Sequence, residues 1–284
     1  MDLWFDGISR PVRLEGRATD LIEPMRQIIS TWPFREQAIP TSDQEPVIKI
    51  WSYQGDYSRA SPWLNETKSY PDPVNAVCDF IVDLVHAYNA EHPEFLCLHC
   101  AAAIVNDQLV VFPSGYNQGK STFMTMLASQ QTRILCDDVM PLGLKTYQGQ
   151  ALGIQPRLRN PLPQELGEQF DDFVSHHVGP SSSRFQYLNL GKDTLANFGE
   201  THPVGGVVIL ERNELDQNTI EPAGQADALK AIILRNFAGA MPAASILDGL
   251  CNLIDQARIF RLNYSAGDAA IHLLRDAFTS EEGQ

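Results

Sequence analysis

The stretch Phe112-Pro-Ser-Gly-Tyr-Asn-Gln-Gly-Lys-Ser-Thr122 decides the fold, because it has the spacing of a phosphate-binding loop. The pattern G-x-x-x-x-G-K-[ST] fits at Gly119, Lys120 and Ser121. Ser114 stands where the pattern has its first glycine. The stretch therefore predicts a loop that binds the phosphates of a nucleotide, with one irregular position.

The sequence on either side of the loop supports this interpretation. The apolar run Leu109-Val-Val-Phe112 predicts a strand that leads into the loop, and the helix-forming run from Thr122 to Ala128 follows it. In such a strand–loop–helix unit, backbone N–H groups and the helix N-terminus favour a bound phosphate. The alternative is a strand-to-helix turn that holds no ligand.

We expect the loop to contribute both backbone and side-chain atoms to a nucleotide site. Lys120 would reach the β- and γ-phosphates, and the Ser121 hydroxyl would bind Mg²⁺. ATP and Mg²⁺ are thus the expected cofactors. The full set of predicted nucleotide-binding residues is Ser114, Gly115, Tyr116, Asn117, Gln118, Gly119, Lys120, Ser121 and Thr122.

Two adjacent carboxylates, Asp137 and Asp138, follow the apolar run Arg133-Ile-Leu-Cys136 shortly after the loop's helix. A carboxylate at the carboxyl end of a neighbouring strand is the usual partner of Mg²⁺ in enzymes with such a loop. A second carboxylate can accept a proton from an attacking hydroxyl. The alternative is an ordinary acidic strand end.

His99 lies on the strand predicted before the loop, within Cys97-Leu-His-Cys100. A lone histidine on a strand is more often a core residue than a catalyst. The C-x-x-C spacing is weak evidence for a metal, because a structural zinc site needs four ligands and no second pair follows. We predict buried cysteines on a strand.

The composition limits the classes of function. The formal net charge of −14 argues against nonspecific binding to nucleic acid and to anionic membranes. The sequence contains no run of 18 apolar residues, so it predicts no membrane span. Five cysteines, an odd number, and a start that does not resemble a signal peptide predict a reduced, cytoplasmic protein.

The chain is predicted to have two parts. Residues 1–70 form a β-rich N-terminal section, in which Pro46 to Tyr53 alternates as a strand does. Residues 71–284 form the catalytic domain. Asp72 and Pro73 suit the N-cap and first position of a helix there. Residues 156–203 are expected to be rich in loops, and helices are expected near 224–238 and 244–257.

Three elements together resemble the core of HPr kinase/phosphorylase and its relatives. They are Leu98-His-Cys-Ala-Ala-Ala103, the loop ending in Gly119-Lys-Ser121, and Leu135-Cys-Asp-Asp138. They occur in the order and spacing of that family, within residues 95–145. The resemblance implies an α/β fold with a P-loop kinase core of the HPr kinase and phosphoenolpyruvate carboxykinase type, beside the smaller β-rich section.

The resemblance also implies an activity and roles for residues. The activity is ATP-dependent phosphotransfer to a hydroxyl, with a protein serine as the usual acceptor. Lys120 and the loop backbone would bind phosphates, and Ser121 and Asp138 would serve Mg²⁺. Asp137 would be the base, and His99 would lie near the transferred phosphoryl group.

The segment after the acid pair departs from that family. In place of Glu-x-Arg-Gly-x-Gly the chain has Gln155-Pro-Arg-Leu-Arg-Asn-Pro-Leu-Pro163. This resembles the shorter HPr-kinase-like proteins of peptide-modification clusters, such as kinases of lasso-peptide precursors. Arg157 and Arg159 could neutralise charge in the transition state or bind an acidic acceptor. They could equally be surface arginines.

Two other functions stay open at this point. The chain could be a nucleotide-binding regulator or slow ATPase without a dedicated acceptor, or a scaffold that no longer binds nucleotide. The expected partners are a nucleotide and a peptide, protein or small-molecule hydroxyl acceptor. The N-terminal section and the C-terminal helices are the natural places for acceptor recognition, or for contacts between copies in a homo-oligomer.

Overall fold

The computed structural model describes residues 1–40, 44–113, 118–162, 166–213, 217–234, 236–237, 241–265 and 267–279. Within those ranges the chain forms a mixed α/β fold with three sheets. The helices are α1 (Ile22–Ile28), α2 (Pro73–Glu91), α3 (Lys120–Ser129), α4 (Glu168–His176), α5 (Gln225–Ile233), α6 (Ala243–Gln256) and α7 (Gly267–Ala277). No helix in these ranges combines the length and the apolarity that a membrane span requires.

The strands follow one another along the whole chain. Those before α2 are β1 (Asp2–Phe5), β2 (Val12–Glu15), β3 (Phe34–Gln37), β4 (Ile48–Tyr53), β5 (Asp56–Ala60) and β6 (Lys68–Tyr70). Those around the loop are β7 (Phe95–Leu98), β8 (Ala101–Val105), β9 (Gln108–Phe112), β10 (Arg133–Cys136), β11 (Met140–Gly143) and β12 (Gln148–Gln150). The rest are β13 (Arg157–Arg159), β14 (Val178–Ser181), β15 (Phe185–Leu188), β16 (Thr201–Arg212), β17 (Thr219–Pro222), β18 (Asn236–Phe237) and β19 (Arg258–Tyr264).

The first sheet has six strands in the order β3-β1-β2-β4-β5-β6. Helices α1 and α2 contribute to its core, with Met25, Phe80 and Leu84 fully buried. Helix α2 begins as the sequence predicts: the Asp72 side chain accepts a hydrogen bond of 2.9 Å from the Asn75 backbone N–H. Such a cap stabilises a helix by about 1 kcal/mol.

The predicted boundary at residue 70 stays a prediction, because the core of the first sheet includes later residues. Leu152 and Tyr187 belong to the same buried cluster. The Trp32 ring stacks on Phe198 with 5.0 Å between the ring centroids. The N-terminal section is therefore packed directly against the rest of the chain.

The second sheet has ten strands and carries the predicted loop. Its main order is β10-β8-β9-β16-β12-β11-β7-β18, and β19 pairs with β16 and β17. Strands β9 and β19 both run parallel to β16, while β8 is antiparallel to β9 and to β10. Strands β9, β10, β16 and β19 therefore end at the same edge of the sheet.

Side chains alternate between the two faces of this sheet, as strand geometry requires. In β9, Val110 and Phe112 face the core that contains α3, α4 and α7. Leu109 and Val111 face the core that contains α5 and α6. Both faces of β9 are buried, which explains its continuous apolar sequence.

The apolar run from Phe95 to Val105 predicts a single strand, and this prediction is wrong in one respect. It is two strands, β7 and β8, and His99 lies in the break between them rather than on a strand. The break lets β7 pair with β11 and β18, while β8 pairs with β9 and β10. The sequence Asn106-Asp107 predicts a tight polar turn after this run, and the turn is confirmed, with φ angles of 47° and 63° that suit a tight hairpin.

Residues 156–203, expected to be rich in loops, also need a correction. They contain α4 and a third sheet with strands in the order β13-β15-β14. These strands have only three or four residues each, which is too short for alternation to show in the sequence. The predicted helices near 224–238 and 244–257 are confirmed as α5 and α6, the first of them shorter than expected.

Candidate active site

A cavity of about 740 Å³ lies at the edge where the strands β10 and β16 end. Ligands of open α/β sheets bind outside the carboxyl ends of the strands. Every predicted site residue that the structure describes lines this cavity: His99, Gln118, Gly119, Lys120, Ser121, Thr122, Asp137, Asp138, Arg157 and Arg159. The predicted residues Ser114, Gly115, Tyr116 and Asn117 lie outside the described residues.

The described end of the loop is fixed by its glycine and by a tyrosine of β19. Gly119 is the N-cap of α3 and has a φ of 78°, which favours glycine. The Tyr264 hydroxyl lies 3.1 Å from the Gln118 carbonyl and 3.2 Å from the Gly119 carbonyl, and its proton is shared between them. A Cβ atom on residue 119 would lie 2.3 Å from this hydroxyl, so a side chain there would clash.

Lys120, Ser121 and Thr122 form the first turn of α3. The N–H groups of a first turn have no partner within their helix, and they point out of its N-terminus together with the positive end of the helix dipole. This terminus opens into the cavity. The arrangement can bind an anion such as a phosphate.

Asp137 is buried, with 7% of its surface exposed. Its Oδ2 accepts a hydrogen bond of 3.0 Å from the Arg157 backbone N–H. Among the residues that the structure describes, its Oδ1 has no hydrogen-bond partner. Burial and the neighbouring Asp138 raise the pKa of Asp137 to about 6, although the Arg157 N–H and the Ser121 side chain oppose the shift.

Asp138 has a different environment, with 52% of its side chain exposed. Its Oδ1 lies 3.3 Å from His99 Nδ1, and its Oδ2 lies 3.2 Å from Arg157 Nη2. The two adjacent carboxylates thus differ in their surroundings: one is buried beside Ser121, and the other is exposed beside a histidine and an arginine.

Arg157 connects the acid pair to parts of the site that the sequence did not indicate. Its guanidinium contacts Cys78 of α2, and its Cζ lies 4.6 Å from the centroid of the Phe185 ring. Burial by itself lowers the pKa of Arg157, but Cys78, Tyr187 and the aspartates outweigh it and raise the pKa. Arg159, two residues further along β13, also lines the cavity and is exposed.

Sequence reasoning missed several residues of the site, which come from distant parts of the chain. They include Cys78, Phe185, Arg212 and Tyr264. None of these lies in a motif. The one signal available for Arg212 and Tyr264 was their position at the ends of apolar strands, where side chains of α/β enzymes reach a ligand.

The residues at the acid pair can be compared with what a metal ion requires. Within the described residues, no group of three or more His, Cys, Asp or Glu side chains is placed to hold a metal ion. Mg²⁺ is usually held by one or two carboxylates together with substrate phosphates. The buried Oδ1 of Asp137, which has no described partner, fits that requirement beside Ser121.

A scan of the sequence against models of protein families finds no match, and neither does a search of curated protein sequences. Among solved structures, the chain is similar to the HPr(Ser) kinase/phosphatase from Coxiella burnetii, with a TM-score of 0.30 and 12% sequence identity. The similarity covers 63% of this chain and 94% of that chain. A similarity of this degree carries no functional conclusion.

Proposed function

We propose that the chain is an ATP- and Mg²⁺-dependent phosphotransferase that moves the γ-phosphoryl group to a hydroxyl, such as a serine of a peptide or protein. One observation carries the proposal: the described end of the phosphate loop and the acid pair line the same cavity. Phosphoryl transfer needs little more from a protein than positioning and charge neutralisation. Lys120 and the first turn of α3 supply the positive side of such a site.

The surroundings of the two aspartates suggest how they divide the work. When Mg²⁺ is bound with the nucleotide, Ser121 and Asp137 would hold it, and the ion would neutralise charge on the phosphates. The exposed Asp138 can reach an acceptor hydroxyl, and His99 and Arg157 orient it. This assignment exchanges the roles that the family resemblance implies, because Asp137 is the carboxylate beside Ser121.

The acceptor oxygen forms a bond to the γ-phosphorus, and the bond from that phosphorus to the β–γ bridging oxygen breaks. The electron pair of the broken bond stays on ADP, and the hydroxyl proton passes to Asp138. Lys120 remains in contact with the phosphates throughout and stabilises their charge.

The part of the cavity wall that comes from α2 and β18 is suited to the acceptor. It is partly apolar, with Ile81, Val85 and Phe237. Arg157 and Arg159 add positive charge near the acid pair. An acceptor that presents a hydroxyl beside apolar and acidic groups, such as a peptide serine, fits these surroundings.

Two measurements test the proposed function. Calorimetry with Mg²⁺ and ATP should show binding, and labelled γ-phosphate should move to a member of a serine-containing peptide library. We expect Asp137→Asn to lose the Mg²⁺ dependence of binding, and Asp138→Asn to bind normally but lose at least about 100-fold in transfer. Asp172→Asn, on the exposed face of α4, is the control.

Each contrary result has a distinct meaning. ATP turnover that no hydroxyl compound accelerates would favour a regulator or slow ATPase. The absence of any nucleotide binding would favour a scaffold and would overturn the proposal. If Asp137→Asn bound Mg²⁺ and ATP normally yet failed to transfer, Asp137 would be the base.

A further inference from the structure

Arg212 is the last residue of β16, the long strand beside β9. The pairing of the two strands matches Val207 with Val111, and β9 ends one residue later at Phe112. Strand β16 therefore continues about four residues, or about 13 Å, beyond the end of β9. Its end lies beside Gln118 and Gly119, the described end of the loop that follows β9.

The surroundings of Arg212 place it at the phosphate end of the cavity. Its side chain lines the cavity together with Gln118, Gly119 and Lys120. Its Cδ lies 3.8 Å from the position that a Cβ atom on residue 119 would occupy. Its strand partner is Tyr264, the residue that holds the Gln118 and Gly119 carbonyls.

Arg212 is exposed at the cavity, whereas Arg157 is half-buried. Arg157 contacts Asp138 and Cys78 and is held over Phe185. Among the residues that the structure describes, the Arg212 guanidinium has no hydrogen-bond or ion-pair partner. Within that part of the chain, nothing competes with a ligand in the cavity for its five N–H donors.

We propose that Arg212 is a catalytic residue that contacts the transferring phosphoryl group and stabilises its charge in the transition state. This inference rests on the proposed phosphotransfer and adds a residue to it. The planar guanidinium can donate two hydrogen bonds to two oxygens of one phosphoryl group, which a lysine does not. An arginine supplied within the chain serves this purpose in other phosphate-loop enzymes.

A transition-state analogue tests the role without knowledge of the acceptor. The dissociation constants of Mg²⁺–ADP and of Mg²⁺–ADP with aluminium fluoride are measured by displacement of a fluorescent ADP derivative. We expect the unmodified protein to bind the aluminium fluoride complex more tightly. Arg212→Ala should lower this preference by about 100-fold, while its affinity for ADP changes less than about threefold.

Arg212→Lys should recover only a small part of the preference, because lysine lacks the paired donors. Arg261→Ala is the control, since Arg261 lies on the adjacent strand β19 but pairs with Glu211 and Asp227 outside the cavity. Its preference should equal that of the unmodified protein. Melting temperatures show that each variant is folded.

Two results would overturn the role of Arg212 and leave the proposed function intact. One is an unchanged preference of Arg212→Ala for the aluminium fluoride complex, and the other is an equal loss of ADP and analogue binding. The second would assign Arg212 to ground-state binding. An unmodified protein that binds ADP but shows no preference for the fluoride complex would also contradict it. If the unmodified protein bound no nucleotide at all, the proposed function would fail as well.

Discussion

At the scale of single residues, the acid pair shows how strongly position controls chemistry. Asp137 and Asp138 are adjacent in sequence and identical in type, yet one is buried and the other is half exposed. The pair follows the end of β10, where the chain bends, so the two side chains enter different surroundings. A buried carboxylate and an exposed one can therefore take different tasks in one site.

The buried carboxylate predicts a specific dependence of stability on pH. The pKa of Asp137 is raised from its ordinary value of 3.8 to about 6, so its contribution to stability is fully present below about 3.8 and is lost as the pH rises through 6. Asp137→Asn removes that loss. In the absence of Mg²⁺ and nucleotide, we compare the free energies of unfolding of the variant and the unmodified protein. Their difference should shift by about 2 kcal/mol in favour of the variant when the pH rises from about 4.5 to about 7.5.

Urea denaturation at the two pH values measures this change. Asp193→Asn is the control here, because Asp193 is exposed and has no hydrogen-bond or ion-pair partner among the described residues, so its replacement should have much the same effect at both pH values. An equal effect of Asp137→Asn at both pH values would contradict the raised pKa.

At the scale of elements, the loop takes its geometry from β19 and α3. Burial raises the pKa of Tyr264 to about 12, so its hydroxyl stays protonated and can donate to the loop carbonyls. The Tyr264 ring also packs on Phe123 of α3, with 5.1 Å between the ring centroids. One side chain thus holds both the end of the loop and the helix that follows it.

Tyr264→Phe tests this connection, because it keeps the ring and removes the hydroxyl. We expect the affinity for Mg²⁺–ATP to fall about fivefold to tenfold, the worth of one hydrogen bond that orients the loop. Calorimetry gives the affinity, and urea denaturation gives the free energy of unfolding. Loss of stability with unchanged affinity would show that Tyr264 supports only the fold. Tyr53→Phe, at an exposed position of β4, is the control.

At the scale of the whole molecule, the N-terminal sheet and the loop-bearing sheet share buried contacts. The backbone N–H of Gln155, near the acid pair, donates a hydrogen bond of 2.8 Å to the Ile28 carbonyl of α1. The wall of the cavity formed by α2 is the same helix that covers the first sheet. The position of this wall is therefore tied to the packing of the N-terminal section.

This packing predicts that the chain unfolds as one cooperative unit. All four tryptophans lie in the first 70 residues, so their fluorescence reports on the N-terminal section alone: Trp4, Trp32, Trp51 and Trp63. Far-ultraviolet ellipticity reports on the whole chain. The two urea transitions should coincide, and Mg²⁺–ATP at 100 times its Kd should stabilise both by about 2.7 kcal/mol. Separate transitions would show two independent units.

The sequence predicted local features well, because their causes are local. The cap at Asp72, the hairpin turn at Asn106 and the helix after the loop each depend on neighbouring residues. The predictions of secondary structure failed where consecutive segments of the chain pair with different strands. The break at His99 and the third sheet are decided by which distant strands pair, and no short pattern encodes that choice.

The sequence by itself determined the elements of the proposed phosphate site, since the spacing of Gly119, Lys120 and Ser121 and the order strand, loop, helix are written along one stretch of chain. Only the tertiary structure decided which carboxylate lies beside Ser121 and which faces the cavity. It alone brought Arg212 and Tyr264 to the loop from about 90 and 140 residues further along the chain. The physical reason is that parallel strands far apart in sequence end at the same edge of a sheet, where side chains from separate segments meet one ligand.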